Sequence, residues 1–192
     1  EDDAYIIFET LNSRGKDLDV ADLLKNHLLN KLRGTGNPAA DTARSKWNDM
    51  RSVIEADGTP KSRLDVNRFI LHWWLSREDY IAERKLFRAI KRTVSTKPLA
   101  KSCLDDLVTD AKFYRKVMDP RAYTWPIEEV DASRALIALT DFGIVQPAPL
   151  LLSLMRARAA SPKLNAAQFR TTLQTIERFH VQYTVVSQLS SS

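Results

Sequence analysis

Cysteine, glycine and long apolar runs are all scarce in this sequence of 192 residues. Its single cysteine, Cys103, cannot form a disulfide within the chain, which fits a reducing compartment, and we expect a cytoplasmic protein. The longest apolar stretch, Pro149–Met155, is far shorter than the roughly 20 residues that a membrane-spanning helix needs. We therefore expect a soluble chain with no membrane contact. The sequence also has no glycine-rich loop of the Walker or dinucleotide-binding type.

The sequence offers no familiar spacing of metal ligands. Its three histidines stand far apart, outside any H-E-x-x-H or paired Cys/His pattern: His27, His72 and His180. Three aspartates come close together, at Asp105, Asp106 and Asp110, but neighbouring acidic residues on a helix point apart and no D-x(n)-E-x-K pattern accompanies them. We interpret them as a solvated helix face. No catalytic residue and no metal site are predicted in this chain, and a buried or neutral thiol is expected for the cysteine.

Helix-forming residues dominate, because only five residues are glycine and 44% are hydrophobic. Apolar positions at helical spacing predict an all-α bundle of about eight helices. The predicted helices cover the following ranges: Asp2–Leu11, Asp19–Leu32, Asp41–Glu55, Ser62–Ser76, Tyr80–Val94, Pro98–Met118, Val130–Phe142, Leu150–Ala159 and Ala166–Val186. The adjacent Trp73 and Trp74 cannot both face the same way, so we expect one in the core and the other at an edge or a domain contact.

The clearest break in the sequence is the run Gly34–Pro38, which contains two glycines and a proline. A domain boundary is predicted there. It divides the chain into residues 1–33 and a helical domain of residues 34–192.

The most informative motif stands near the beginning of the sequence. Phe8–Leu18 reads F-E-T-L-N-S-R-G-K-D-L, and Asp22–Asn26 reads D-L-L-K-N. The pattern F-E-x-x-N-x-x-G-x-x-L followed by D-L-x-K-N resembles the signature of GmrSD-type restriction endonucleases, at the end of their ParB/sulfiredoxin-like domain. This resemblance covers about the first 30 residues, and the helical remainder is compatible with the helical region that follows in that family.

The resemblance implies a parent protein that restricts modified or foreign DNA. In that family the ParB-like domain is associated with nucleotide binding and hydrolysis, and a separate HNH-type domain or subunit cuts DNA. The family's Q-R and D-G-Q-Q-R segments and its HNH motif do not occur in this sequence, which opens at Glu1 without a methionine. We therefore expect a central segment of a longer protein, whose first two helices complete an upstream α+β domain. The parent would use an NTP and a divalent metal, and this segment would hold neither alone.

The turn between the first two predicted helices contains Asn12, Arg14, Gly15 and Lys16. Backbone N–H groups at a restarting helix, with two basic side chains beside them, could hold the phosphate of a nucleotide. The alternative is that Asn12 and Gly15 only shape a tight turn, since both residues tolerate the left-handed conformation.

A second candidate surface lies on the helix predicted at Tyr80–Val94. Arg84, Arg88 and Lys91 share one face at i, i+4 and i+7, and this face could contact DNA phosphates. A solvated face is the alternative, and the same two interpretations apply to Arg156 and Arg158. The net charge of +5 permits a nucleic-acid partner without requiring one.

Two functional hypotheses follow from the sequence. In the first, the chain is the central segment of a GmrSD-like modification-dependent restriction protein and couples a nucleotide-binding domain to a nuclease, without catalysing a reaction alone. Its partners would then be the upstream domain, the downstream nuclease and DNA. In the second, the chain is a helical interaction scaffold with no nucleic-acid role. If the first two helices lack their partner, their apolar stripe would be exposed and would favour a homodimer.

Overall fold

The computed structural model describes residues 19–33, 37–56, 64–161 and 164–189 of the chain. This part forms eight α-helices and two short 3-10 helices, at Pro120–Ala122 and Ile127–Glu129, and it contains no strand. The helices are α1 (Val20–Leu32), α2 (Asn37–Ile54), α3 (Val66–Leu75), α4 (Glu83–Thr93), α5 (Lys97–Met118), α6 (Val130–Asp141), α7 (Ala148–Ala160) and α8 (Ala166–Leu189). The predicted all-α class is therefore confirmed. The predicted helix Asp2–Leu11 lies outside the described residues.

Helix α1 begins where the sequence predicts, because Asp19 caps it. The Asp19 carboxylate accepts a hydrogen bond from the backbone N–H of Ala21 at 3.2 Å, which satisfies one of the free donors at the helix start. Its apolar stripe is buried, with Leu24 and Leu28 almost inaccessible to solvent.

Several other helix ends differ from the predicted ones. Pro38, assigned to a break, is the second residue of α2, a position where the missing N–H of proline is tolerated. Helix α3 begins only at Val66, because Asp65 accepts hydrogen bonds from two backbone N–H groups of the first turn. Helix α6 ends close to its predicted end through Gly143, whose φ of 67° is easily adopted only by glycine.

The chain divides into two compact units. Unit 1 comprises Glu1–Asn48 and Ile81–Asp106, and unit 2 comprises Asp49–Tyr80 and Leu107–Ser192. In the described part of unit 1, α1 packs against α4. The predicted boundary between residues 33 and 34 stays a prediction.

In unit 2, α6 packs along α8 and α3 packs against α7. Its core contains Phe69, Tyr114 and Phe169, all fully buried. The expectation that only one of the paired tryptophans would be core is wrong, because both Trp73 and Trp74 are buried. No helix in the described ranges is long and apolar enough to cross a membrane.

Candidate functional site

A strongly basic surface of unit 1 lies on α4. Five of its eleven residues are basic and one, Glu83, is acidic. The predicted residues Arg84, Arg88 and Lys91, which we call the α4 basic face, are all exposed. At 100° per residue they lie within about 60° of one another around the helix axis, so they project from one side of α4.

Helix α4 is held in place by its opposite side. Leu86 and Ile90 are completely buried, and Val94, just beyond the helix, is buried as well. Because these anchors lie opposite the α4 basic face, the core fixes which charges meet solvent. Within the described residues, neither Arg84 nor Lys91 makes a side-chain ion pair or hydrogen bond. Their positive charge is therefore available to a ligand.

A direct contact joins α4 to α1. His27 on α1 donates its Nε2–H to the carbonyl oxygen of Val94 at 2.8 Å, where α4 ends. The His27 ring also meets the ring of Phe87 edge-on, with 6.2 Å between centroids. The helix that contains the D-L-x-K-N motif thus touches the helix that presents the α4 basic face.

The predicted nucleotide-binding residues Asn12, Arg14, Gly15 and Lys16 lie outside the described residues. The structure therefore leaves their role as a prediction. What it does describe is α1, which begins soon after that turn and which contacts α4.

An ion cluster that the sequence did not predict lies in unit 2. Asp110, interpreted as part of a solvated face, is buried, with only 1% of its surface accessible, so that interpretation is wrong. Its Oδ2 accepts hydrogen bonds from Arg77 at 2.8 Å and from Arg156 at 2.9 Å. Arg156 also donates to the hydroxyl and the carbonyl oxygen of Ser76. We call Arg77, Asp110, Arg156 and Ser76 the Asp110 cluster.

The interpretation of Arg156 and Arg158 as a solvated face is also wrong, because both side chains are partly buried and paired, whereas a DNA contact of either residue stays a prediction. Arg156 belongs to the Asp110 cluster. Arg158 pairs with Glu129 at 3.2 Å and donates to the carbonyl oxygen of Leu164 at 2.9 Å. Both guanidinium groups thus bind the protein's own acceptors.

The other aspartates of α5 do not combine with Asp110 into a carboxylate site. Asp105 pairs with Lys46 and with Lys101, and the hydrogen bond from Lys46 is the main reason why the pKa of Asp105 is lowered. Within the described ranges, no group of three or more His, Cys, Asp or Glu side chains could hold a metal ion. Cys103 is buried, as predicted.

His72 is a structural rather than a catalytic candidate. Its Nδ1 lies 2.9 Å from the hydroxyl of buried Tyr114. Burial, with a smaller contribution from Arg68, lowers the pKa of His72 to about 4, and burial raises the pKa of Tyr114. The pair is therefore neutral at pH 7 and satisfies two polar groups inside unit 2.

Unit 2 also has an open groove lined by the side of α5 and the segment that follows it. The Nζ of Lys116 lies 3.8 Å from the centre of the Tyr123 ring, and Trp125 meets that ring edge-on. Arg115 pairs with Asp119 at 2.8 Å. Since the two best-placed cations already have partners in this groove, it offers less free charge than the α4 basic face.

The comparisons with known proteins add no relative. No protein-family model matches the chain, and no curated protein and no solved structure matches it.

Proposed function

We propose that this chain is the central helical segment of a GmrSD-like DNA restriction protein, in which it couples a nucleotide-binding domain to a nuclease. The observation that supports the proposal best is the contact of α1 with α4. Helix α1 contains the D-L-x-K-N part of the motif, and α4 presents the basic face. Alone, the segment would catalyse nothing, and the NTP and divalent metal would be bound by the parent protein in the cytoplasm.

The coupling has a simple physical basis. A nucleotide bound at the turn that contains Asn12 and Gly15 would favour one position of α1. Because His27 binds the end of α4, a shift of α1 would change the orientation or the freedom of the α4 basic face. Such coupling requires that the nucleotide binds one of two arrangements more tightly than the other.

The α4 basic face would bind the DNA backbone rather than base edges. If Arg84 and Lys91 each neutralise one phosphate, a plot of log K against log salt concentration should have a slope of about −1.8. The contact would therefore be independent of sequence, as expected for a segment that positions DNA while another domain selects and cuts it.

The test is fluorescence anisotropy of a labelled DNA duplex at several salt concentrations, with the 192-residue chain. We expect binding at low salt that the triple variant R84E/R88E/K91E reduces at least tenfold. A matched control with the same change in net charge is K31E/K97E/R178E, whose three residues are exposed and dispersed along the chain. Equal losses of DNA affinity in both variants, or no DNA binding by the unmodified chain at low salt, would refute the DNA contact.

We also expect no NTP hydrolysis by the pure chain, and turnover would show that catalytic residues lie within it.

A helical interaction scaffold is the second candidate function, and one observation favours it. On α8, Phe179 and Tyr183 are both mostly exposed, and their rings stack with 6.4 Å between centroids. Exposed aromatic pairs of this kind are enriched at protein interfaces. Analytical ultracentrifugation of the unmodified chain and of F179S/Y183S tests whether this pair forms a homodimer contact. Loss of a dimer in the variant would support the scaffold, and an unmodified chain that stays monomeric would exclude this dimer.

A further inference from the structure

A polar pocket in unit 1 lies on the side of α1 opposite its buried stripe. The described residues of its walls are Asn26, Leu29 and Asn30 of α1, Arg33 directly after the end of α1, and Arg44 of α2. The four polar residues are exposed, and the pocket, of about 340 Å³, is open to solvent. This volume is near the lower end of the roughly 300–1,000 Å³ of small-molecule sites.

The polar side chains of this pocket are not used by the fold. Asn26, Asn30, Arg33 and Arg44 make no side-chain hydrogen bond or ion pair within the described part of the chain. Asparagine is also a weaker helix former than alanine or glutamine, by up to about 0.7 kcal/mol per residue. Two asparagines one turn apart on an exposed helix face therefore lower the helix stability without a compensating side-chain hydrogen bond among the described residues.

The donor chemistry of the pocket selects an anion. Two guanidinium groups and two carboxamide groups supply N–H donors, and none of the described residues that line the pocket is acidic. Planar guanidinium forks match the oxygen atoms of phosphate in pairs, which a single ammonium group cannot do. Asp22 and Asp41 occur on the same two helices but do not line the pocket. The negative end of the α1 dipole opposes an anion with about half a charge, less than the two arginines supply.

We propose that the α1–α2 pocket binds a phosphoryl group, held by Arg33 and Arg44 and oriented by the amides of Asn26 and Asn30. The phosphoryl group can belong to a free nucleotide or to a nucleic-acid backbone, because both present the same oxygen atoms. The proposal is independent of the role assigned to the α4 basic face. It also gives a function to Asn26, the last residue of the D-L-x-K-N pattern.

The experiment titrates inorganic pyrophosphate and, separately, ATP without metal into the 192-residue chain, using isothermal calorimetry at low salt. We expect R33Q/R44Q to weaken pyrophosphate binding at least tenfold. The matched control K97Q/R178Q changes the net charge by the same amount at exposed positions elsewhere, and it should retain pyrophosphate affinity within twofold of the unmodified chain. A further variant with the same charge change, R84Q/R88Q on α4, is used for the DNA measurement. The variant N26L/N30L, which leaves the charge unchanged, should weaken pyrophosphate binding three- to tenfold while circular dichroism shows a folded helix.

Each result decides the question. If the unmodified chain does not bind pyrophosphate, the proposed site is refuted. Equal losses of pyrophosphate affinity in R33Q/R44Q and K97Q/R178Q would also refute it, because they would indicate general electrostatic attraction. DNA anisotropy on the same variants identifies the source of the phosphoryl group. If R33Q/R44Q weakens DNA binding as well as pyrophosphate binding, the pocket binds a nucleic-acid backbone. If the variant weakens only the binding of pyrophosphate and ATP, the pocket binds a free nucleotide. A DNA loss confined to R84Q/R88Q supports the α4 contact separately, so the two proposals can fail independently.

Discussion

Arg77 and Arg156 of unit 2 and Arg84 of unit 1 are used in opposite ways. In unit 2, Arg77 and Arg156 point inward to one buried carboxylate. In unit 1, Arg84 is exposed on α4 and has no ion pair among the described residues. Removing one partner of a buried ion pair costs several kcal/mol, whereas an exposed charge contributes little to stability. Net charge alone therefore does not locate a binding surface, because some of the arginines form ion pairs that stabilise the fold.

The largest expected effect comes from the carboxylate of the Asp110 cluster. Asp110→Ala would leave two partly buried guanidinium groups without their acceptor, so we expect a loss of about 3 kcal/mol in the free energy of unfolding. Urea denaturation followed by circular dichroism measures it. The control is Asp131→Ala, whose ion pairs with Arg134 and Arg170 are exposed and whose loss should cost under about 1 kcal/mol. Equal effects of the two substitutions would show that Asp110 does not stabilise unit 2.

A medium effect is expected at acidic pH, through the half-buried His72. Its pKa falls from 6.5 to about 4 on folding, so the unfolded chain binds the proton more tightly than the folded one. The stability that neutral His72 supports is present above pH 6.5 and is lost as the pH falls from 6.5 towards 4. At pH 5 the loss is about 2 kcal/mol.

Urea denaturation at pH 7 and pH 5 measures this loss, with His72→Gln as the comparison. The variant should be less stable than the unmodified chain at pH 7, because it disturbs the contact with Tyr114. It should also lose about 2 kcal/mol less than the unmodified chain between pH 7 and pH 5. The same pH dependence in both proteins would contradict the low pKa of His72.

The helices were predictable because their apolar stripes repeat at helical spacing and because caps such as Asp19 are local. Helix starts were predicted less well, since the cap at Asp65 and the early start of α2 depend on backbone geometry that composition does not reveal. The Asp110 cluster was missed for a physical reason. Its partners Arg77 and Arg156 stand 33 and 46 residues away in the sequence, and only tertiary packing brings them together.

One local signal could have identified Asp110. It lies in register with the buried Leu107, Tyr114 and Val117, within the apolar stripe of α5, where an acidic residue needs a cationic partner. For the α4 basic face, by contrast, the sequence predicted the shared face correctly, because Leu86 and Ile90 mark the opposite, buried side. Whether that face binds DNA depends on a ligand, which neither spacing nor packing can identify.

The smallest expected effect comes from the exposed Arg84 on α4. Arg84→Ala removes a like-charge neighbour four residues before Arg88 and introduces the best helix former. We therefore expect the free energy of unfolding to stay unchanged or to rise by about 0.2–0.5 kcal/mol. Urea denaturation measures this change, with Arg77→Ala as the comparison. Because Arg77 is bound to Asp110, its removal should lower the free energy of unfolding by at least about 1 kcal/mol. A loss above about 1 kcal/mol for Arg84→Ala would mean that this arginine has a structural partner. The α4 basic face would then lose one of its two charges that have no ion pair within the described residues.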